Sequence, residues 1–285
     1  MARTSPLPPP LLTDLSASAL HRAPASVGAL SRLLPCRPTL PAMQILGETT
    51  SHGVTERRFD VEGHAGVVPG IVWTPEGASG ARPLVLVGHG GGGHKRMPYM
   101  LSLARRLVRH AGYAVAAIDG PGHGERAGAT LTRDGSETAG IPKGFLDHVA
   151  AASEQMTADW TATLHALRAR PEIGDGPLAY WGLSMGTMFG LPFVAATPDV
   201  RCAVLGLMGT FAEGNPWGTA ASAVTCPTLF LVQTDDELVP VDTAISLFQS
   251  VGSKDKRLHA HPGAHSAVPL EEIEASEAFF ARHLP

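Results

Sequence analysis

Ser184 lies at the centre of the pentapeptide GLSMG, which spans residues 182–186 and follows an apolar run ending at Trp181. A serine between two glycines on a sharp strand-to-helix turn presents a nucleophilic hydroxyl above a sheet. Small flanking residues are needed because a side chain there would strike the neighbouring strand or helix. The alternative is an ordinary glycine-rich turn whose serine caps a helix.

A serine hydroxyl is a poor nucleophile at neutral pH, so it needs a general base and a carboxylate that orients the base. Asp235 and Asp236 follow the apolar run 227–232, and His265 lies in the loop after the last predicted strand. Sites in open α/β sheets form at such carboxyl ends of strands. Alternatively, the aspartates cap the next helix and the histidine faces solvent.

Four consecutive glycines, Gly90 to Gly93, leave the apolar run 83–88 about a hundred residues before the serine. Such a run is unfavourable in backbone entropy unless bare amides must approach another group. We expect Gly91, with Gly90 and Gly92 close by, to supply one N–H to an oxyanion, and Met185 to supply the second. The alternatives are a flexible loop and a phosphate cradle, but the ending of a P-loop is missing.

Two further groups of polar residues are interpreted as structural. The turn 119–124 (DGPGHG) is expected to join loops through hydrogen bonds of Asp119 and His123. His259, His261 and His265 show no fixed ligand spacing, so we predict neither a metal site nor a cofactor.

The elements that position these residues alternate between short apolar runs and helical patterns, which is typical of a mostly parallel sheet with helices on both faces. We predict an α/β fold of about eight strands in a single domain covering residues 43–285. The predicted strands are 54–61, 66–73, 83–88, 113–118, 177–182, 201–208, 227–232 and 257–260, and the predicted helices are 99–110, 145–169, one beginning near 185, and 270–283.

Residues 1–42 form a leader of different composition, with 8 of the 24 prolines, four arginines and a single acid, Asp14. We expect it to be disordered. It resembles an organellar transit peptide, although prolines interrupt it; alternatively, translation starts at Met43 and the leader is upstream sequence.

The composition of the 285-residue chain excludes several classes of protein. A sequence pI near 6.3 leaves no basic excess for nucleic acid. No apolar run approaches the roughly 18 residues of a membrane span. Three unpatterned cysteines, Cys36, Cys202 and Cys226, indicate a reduced, cytoplasmic protein without a disulfide framework.

Taken together, residues 54–284 resemble the α/β-hydrolase-fold serine hydrolases. Within that superfamily, the HGGGG loop at 89–93, the DGPGHG turn, the D-x-x-V-P motif starting at Asp236 and the G-x-H motif ending at His265 are similar to dienelactone-hydrolase-like and acyl-peptidase-like esterases. The resemblance aligns the acid with Asp236 rather than Asp235. Dienelactone hydrolases use a cysteine nucleophile, so lactone specificity does not transfer to Ser184.

In this family a substrate-selecting cap follows the strand after the elbow helix. Only about eighteen residues, 209–226, are available there, so we expect no sizeable cap domain. An open site favours a small or accessible ester substrate, with Phe211 and Trp217 as candidate apolar walls. Plain loop packing is the alternative for both aromatic side chains.

The sequence therefore predicts a cofactor-free carboxylic-ester hydrolase in which Ser184 attacks, His265 transfers protons and Asp236 orients His265. A serine peptidase of the acyl-peptide type, an acyltransferase and a non-catalytic ligand-binding scaffold on the same fold are the alternatives.

Overall fold

The computed structural model describes residues 43–127, 141–211 and 214–284. The predicted leader, residues 1–42, lies outside these ranges. Within them, one continuous sheet carries helices on both of its faces, as the alternating sequence pattern predicts.

The sheet contains nine strands in the described residues, in the order β1-β2-β3-β5-β4-β6-β7-β8-β9. The first four in this order pair antiparallel, and all pairs from β5 to β9 are parallel. The strands are β1 (Met43–Ser51), β2 (Val54–Gly63), β3 (Gly66–Pro75), β4 (Leu84–Gly88), β5 (Ala114–Ile118), β6 (Leu178–Gly182), β7 (Val200–Gly206), β8 (Thr228–Gln233) and β9 (Lys256–His261).

Strand β1 is the element that the sequence analysis missed, which is why the predicted number of about eight strands becomes nine. Only alternate residues at its start are half-buried, and its second half is exposed. Residues 47–51 of this strand are glycine or polar and give little strand signal. Pairing with β2 across a two-residue turn holds them in the sheet, while Met43 and Ile45 pack against the core.

The helices lie in two groups, one on each face of the sheet. Helices α1 and α6 contribute to one apolar cluster, and α2 to α5 contribute to the other. Successive residues of a strand belong to different clusters: Leu84 and Leu86 of β4 pack with α2 to α5, and Val85 and Val87 pack with α1 and α6. The bounds are α1 (Pro98–Ala111), α2 (Lys143–Arg168), α3 (Met185–Ala196), α4 (Pro216–Ala221), α5 (Val241–Ser250) and α6 (Glu271–His283).

This topology brings the chemically interesting loops to one edge of the sheet. The parallel strands β4, β6, β8 and β9 end at Gly88, Gly182, Gln233 and His261, and each is followed directly by a segment that the sequence analysis singled out. Between β7 and β8 the described residues form only the short helix α4.

No helix among the described residues is long and apolar enough to cross a membrane. Cys202 and Cys226 are free thiols, and burial raises the pKa of Cys226 to about 11.

Candidate active site

Ser184 sits in a backbone conformation that is rare for a residue with a side chain, with φ 58° and ψ −121°. Strand β6 ends two residues earlier and α3 begins at the next residue. The chain therefore turns from strand to helix over two residues, Leu183 and Ser184, which places the serine side chain above the sheet edge. A non-glycine residue persists at such angles only when its surroundings hold it there.

The glycines on either side of the serine are required by close backbone approach, as the sequence analysis expected. A Cβ atom on Gly182 would lie 2.7 Å from the carbonyl oxygen of Gly186. A Cβ atom on Gly186 would lie 2.6 Å from the carbonyl oxygen of Gly88, at the end of the neighbouring strand β4. Helix α3 thus packs directly on the strand ends, and any side chain at these positions would displace it.

Buried hydroxyl groups fix this turn from below. The Thr187 hydroxyl lies 2.8 Å from the Gly182 carbonyl oxygen and 2.7 Å from that of Gly206. The Ser184 N–H donates to the same Gly206 carbonyl at 2.9 Å. The buried Tyr180 hydroxyl donates to the Gly186 carbonyl at 2.8 Å. The turn is therefore tied to strand β7 as well as to β6.

The three side chains that the sequence singled out form one chain of polar contacts. His265 Nε2 lies 2.9 Å from Ser184 Oγ, and His265 Nδ1 lies 2.7 Å from Asp236 Oδ2. Side-chain exposure is 13% for His265 and 2% for Asp236. The buried carboxylate favours the tautomer with a proton on Nδ1, which leaves Nε2 free to accept the serine proton.

The two aspartates that the sequence offered occupy different positions. The second carboxylate oxygen of Asp236 accepts the backbone N–H groups of Leu238 and Val239, at 2.8 and 2.9 Å. Asp235 does not contact the imidazole; its carboxylate accepts the N–H of Gly263 at 3.0 Å. Asp236 thus orients the ring, and Asp235 ties the loop after β9 to the loop after β8.

The next residue, Glu237, holds the same loop. Its carboxylate accepts the backbone N–H of His265 at 2.9 Å, and this hydrogen bond lowers the pKa of Glu237 below its ordinary value. Asp235, Asp236 and Glu237 therefore each contact a different part of the segment 263–265.

The glycine loop after β4 lies beside the serine. A Cβ atom on Gly90 would lie 4.0 Å from Ser184 Cβ. The Gly90 N–H is already used, since it donates to the Tyr99 hydroxyl at 2.9 Å. In the part of the chain that the structure describes, no hydrogen bond uses the N–H of Gly91 or Met185. These two amides are the ones that the sequence analysis selected as oxyanion donors.

The glycine loop is anchored at its first residue. His89 is buried, and its Nε2 accepts the N–H of Gly120 at 2.9 Å, so Nδ1 must carry the proton and donate to the Gly90 carbonyl at 2.9 Å. Burial lowers the pKa of His89 to about 4. The ring is therefore neutral at physiological pH and joins the glycine loop to the turn after β5.

An ion pair anchors the other end of the loop. Lys95 donates its backbone N–H and its ammonium group to the fully buried Asp119, at 2.8 and 2.6 Å. Burial alone would raise the pKa of Asp119, but the hydrogen bonds and the charge of Lys95 hold it below its ordinary value. The structural interpretation of Asp119 in the turn 119–124 is thereby confirmed.

The structure places the two candidate apolar walls of the substrate site, Phe211 and Trp217, in different surroundings. Trp217 packs in the core at 1% exposure and donates its indole N–H to the Gly209 carbonyl at 3.1 Å, so it has no surface to offer a substrate. Loop packing describes Trp217 correctly. Phe211 is half-buried at the edge of the core, with φ 34°, and its role as an apolar wall remains a prediction.

Phe145, which the sequence analysis did not select, packs against the glycine loop: a Cβ atom on Gly91 would lie 2.8 Å from its ring.

Tyr99, Phe145 and Glu237 also contact the loops of the site, but the sequence gives little indication of these contacts. Tyr99 and Phe145 appeared only as members of helical patterns, and their neighbours in space, Gly90 and Gly91, lie 9 and 54 positions earlier in the sequence. Glu237 directly follows the aspartate pair, so an exposed acid next to a predicted catalytic carboxylate was the available signal.

The comparisons with known proteins agree with this architecture. The family described as alpha/beta hydrolase fold matches residues 83–225. Since that match spans half of the chain, the chain belongs to the α/β hydrolase fold family.

The individual relatives are esterases. The PEG-bound structure of a novel cold-adapted esterase from an Arctic intertidal metagenomic library is 39% identical, covers 84% of this chain and 97% of its own, and has a TM-score of 0.73. A zinc-bound structure with the same description is 36% identical over 85% of this chain and 100% of its own, with a TM-score of 0.70. Esterase YjfP of Escherichia coli (strain K12) is 24% identical over 62% of this chain and 80% of its own length. The comparisons therefore support an esterase of the α/β hydrolase fold, while the dienelactone-hydrolase-like and acyl-peptidase-like subgroup stays a prediction.

Proposed function

We propose that this protein hydrolyses carboxylic esters through an acyl-enzyme formed on Ser184. The observation that carries the proposal is the continuous contact from Ser184 Oγ through His265 to the buried Asp236. Such a chain activates a hydroxyl that would otherwise be unreactive at neutral pH. The esterase relatives favour an ester over other acyl substrates.

In the first half of the reaction, His265 Nε2 accepts the proton of Ser184 Oγ as that oxygen bonds to the ester carbonyl carbon. Asp236 stabilises the imidazolium that forms. The N–H groups of Gly91 and Met185 would donate to the developing oxyanion. Collapse of the tetrahedral intermediate breaks the bond to the leaving alcohol, which takes its proton from His265.

In the second half of the reaction, a water molecule takes the place of the serine hydroxyl as nucleophile. His265 removes a proton from water as the water oxygen attacks the acyl carbon, and the proton then returns to Ser184 Oγ as the acid departs. No cofactor enters any step.

The surroundings of the serine support a small acyl group. Phe145 packs on the glycine loop, and Phe211 stands at the edge of the core after β7. Only the short helix α4 lies between β7 and β8 among the described residues. We therefore expect hydrolysis to slow as the acyl chain of the substrate lengthens.

The test is the initial rate on p-nitrophenyl esters of increasing acyl length, with wild type beside Ser184→Ala and the exposed control Ser222→Ala. We expect activity in wild type and in the control, with highest rates for short acyl groups, and loss to background in Ser184→Ala. Equal activity in all three proteins would overturn the assignment of the nucleophile.

A fluorophosphonate separates the remaining candidates. Intact-mass spectrometry should show one adduct on wild type and none on Ser184→Ala. An adduct without ester hydrolysis would favour a peptidase of the acyl-peptide type. The absence of any adduct would favour a non-catalytic scaffold.

A further inference from the structure

A second cluster of polar side chains lies between strand β9 and helix α6. His259 and His261 are two residues apart on β9 and so project from the same face of the strand. Glu272 lies in the first turn of α6 and is 5% exposed, while the side chains of the two histidines are 37% and 25% exposed. One face of the cluster is therefore buried and the other is open to solvent.

The three side chains converge on one point. Glu272 Oε1 lies 2.9 Å from His259 Nδ1 and 2.6 Å from His261 Nε2, and Glu272 Oε2 lies 3.1 Å from His259 Nδ1. One ligand atom from each residue lies within 4.8 Å of the other two. Ligand atoms around a tetrahedral ion at bond lengths of about 2.1 Å are roughly 3.4 Å apart. Side-chain movements of about 1 Å would therefore suffice to enclose an ion.

The backbone holds the donors at this spacing. His259 and His261 pair with Leu231 and Gln233 in the parallel ladder between β8 and β9. Glu272 is fixed by its place at the start of α6, which packs on the sheet through Phe279 and Phe280. Two donors on a strand and one on a helix are thus set by secondary structure rather than by a loop.

The chemistry of the donors selects the kind of ion. Two imidazole nitrogens and one carboxylate oxygen, with a fourth position open to water, suit Zn²⁺ and related transition-metal ions. Ca²⁺ and Mg²⁺ prefer sites built from oxygen ligands. We propose that His259, His261 and Glu272 form a Zn²⁺-class metal site outside the active site.

From the sequence, His259 and His261 were considered together with His265, and a metal site was not predicted because the three show no fixed ligand spacing. His265 is committed to Ser184 and Asp236. The third ligand is instead Glu272, which follows His261 by eleven residues and was assigned to the last predicted helix. This proposal does not depend on the proposed esterase function.

A bound ion would join β9 to α6 four residues before His265. We expect Zn²⁺ to raise the melting temperature of the protein, because the folded state alone holds the three ligands together.

The test is a Zn²⁺ titration of the metal-free full-length protein against a chromophoric chelator. We expect one equivalent to bind, with an affinity at least about tenfold lower in Glu272→Gln and in His261→Gln. The matched control is Glu271→Gln, the exposed carboxylate one position earlier, which should bind as wild type does. Unchanged affinity in Glu272→Gln and His261→Gln, or no binding by wild type at about 100 μM Zn²⁺, would overturn the proposal.

Two further measurements keep the result specific. His265→Ala should keep the full Zn²⁺ affinity, whereas a loss there would mean that the ion binds at the catalytic histidine. Co²⁺ should give the intense visible absorption of a four-coordinate site in wild type and in Glu271→Gln. If Glu272→Gln is not folded by circular dichroism, His259→Gln replaces it in the comparison.

Discussion

Ser184 and His265, the proposed nucleophile and base, are held in place by different means. Ser184 is fixed by buried contacts: the backbone of α3 at Gly186 packs directly on the Gly88 carbonyl at the end of β4, and Thr187 ties the turn to β7. His265 is positioned by carboxylates, since Asp235 and Glu237 bind the backbone of its loop at the protein surface. The geometry of Ser184 thus depends on the core, and that of His265 depends on surface hydrogen bonds.

The largest expected effect separates the two adjacent aspartates. Asp236→Asn should lower kcat by about a thousandfold or more, because an amide cannot hold the required tautomer and stabilise the imidazolium. Asp235→Asn should cost little, since the amide oxygen can still accept the Gly263 N–H. Steady-state kinetics on one p-nitrophenyl ester measures both, and equal losses would show that the acid has been wrongly assigned.

The second prediction concerns His89, which is buried, and the dependence of protein stability on pH. His89 has a folded-state pKa of about 4 against an ordinary value of 6.5. Below pH 6.5 the unfolded chain binds a proton that the folded protein rejects, so stability should fall as the pH decreases toward 4, by about 3 kcal/mol in total.

Urea unfolding at pH 6.5 and pH 4 measures this loss. His89→Asn should be less stable at neutral pH but should lose less stability on acidification than wild type. Other titrating groups are common to both proteins, so the difference isolates His89. Identical losses would contradict the neutral, buried state of the ring.

The third effect tests whether the core holds the nucleophile. Gly186→Ala should lower the free energy of unfolding by about 1–3 kcal/mol and reduce activity, because the new methyl group would meet the Gly88 carbonyl. Gly144→Ala is the matched control: a Cβ atom there meets nothing within 4 Å, so added helix propensity should slightly stabilise the protein. Denaturant unfolding of both variants makes the comparison.

The smallest expected effect concerns the surface hydrogen bond between Glu237 and the backbone of His265. Glu237→Ala should lower kcat by about threefold without changing the melting temperature, because it removes one exposed hydrogen bond to the His265 backbone. Glu237→Gln, which keeps an acceptor oxygen, should retain most of the activity. A loss of stability in Glu237→Ala would mean that the loop contributes to the core after all.

The same contrast explains what the sequence could predict. The turn around Ser184 has a local signature, because strain and close packing demand glycines at fixed offsets. The strands leading to Asp236 and His265 are continuous apolar runs, which locate both side chains at the sheet edge. The parallel sheet and the helices flanking it were predicted for the same reason.

The remaining features depend on contacts between distant segments. The second half of β1 is glycine or polar, and its place in the sheet comes from pairing with β2. Trp217 lies in the six-residue helix α4, which is too short to show which of its sides is buried, and packing in the core together with the hydrogen bond to Gly209 sets its position. Phe145 and Glu272 belong to helices whose register against the sheet cannot be obtained from spacing alone.

The contacts around Ser184 also bear on the folding of the chain. Gly88, Gly182 and Gly206 end three parallel strands, and the rare backbone angles of the serine need all three strands in register. A collapsed chain with most of its helices formed would lack that support. During refolding, labelling of Ser184 by a fluorophosphonate should therefore lag behind the recovery of helical circular dichroism, since parallel strands assemble through slow, long-range contacts.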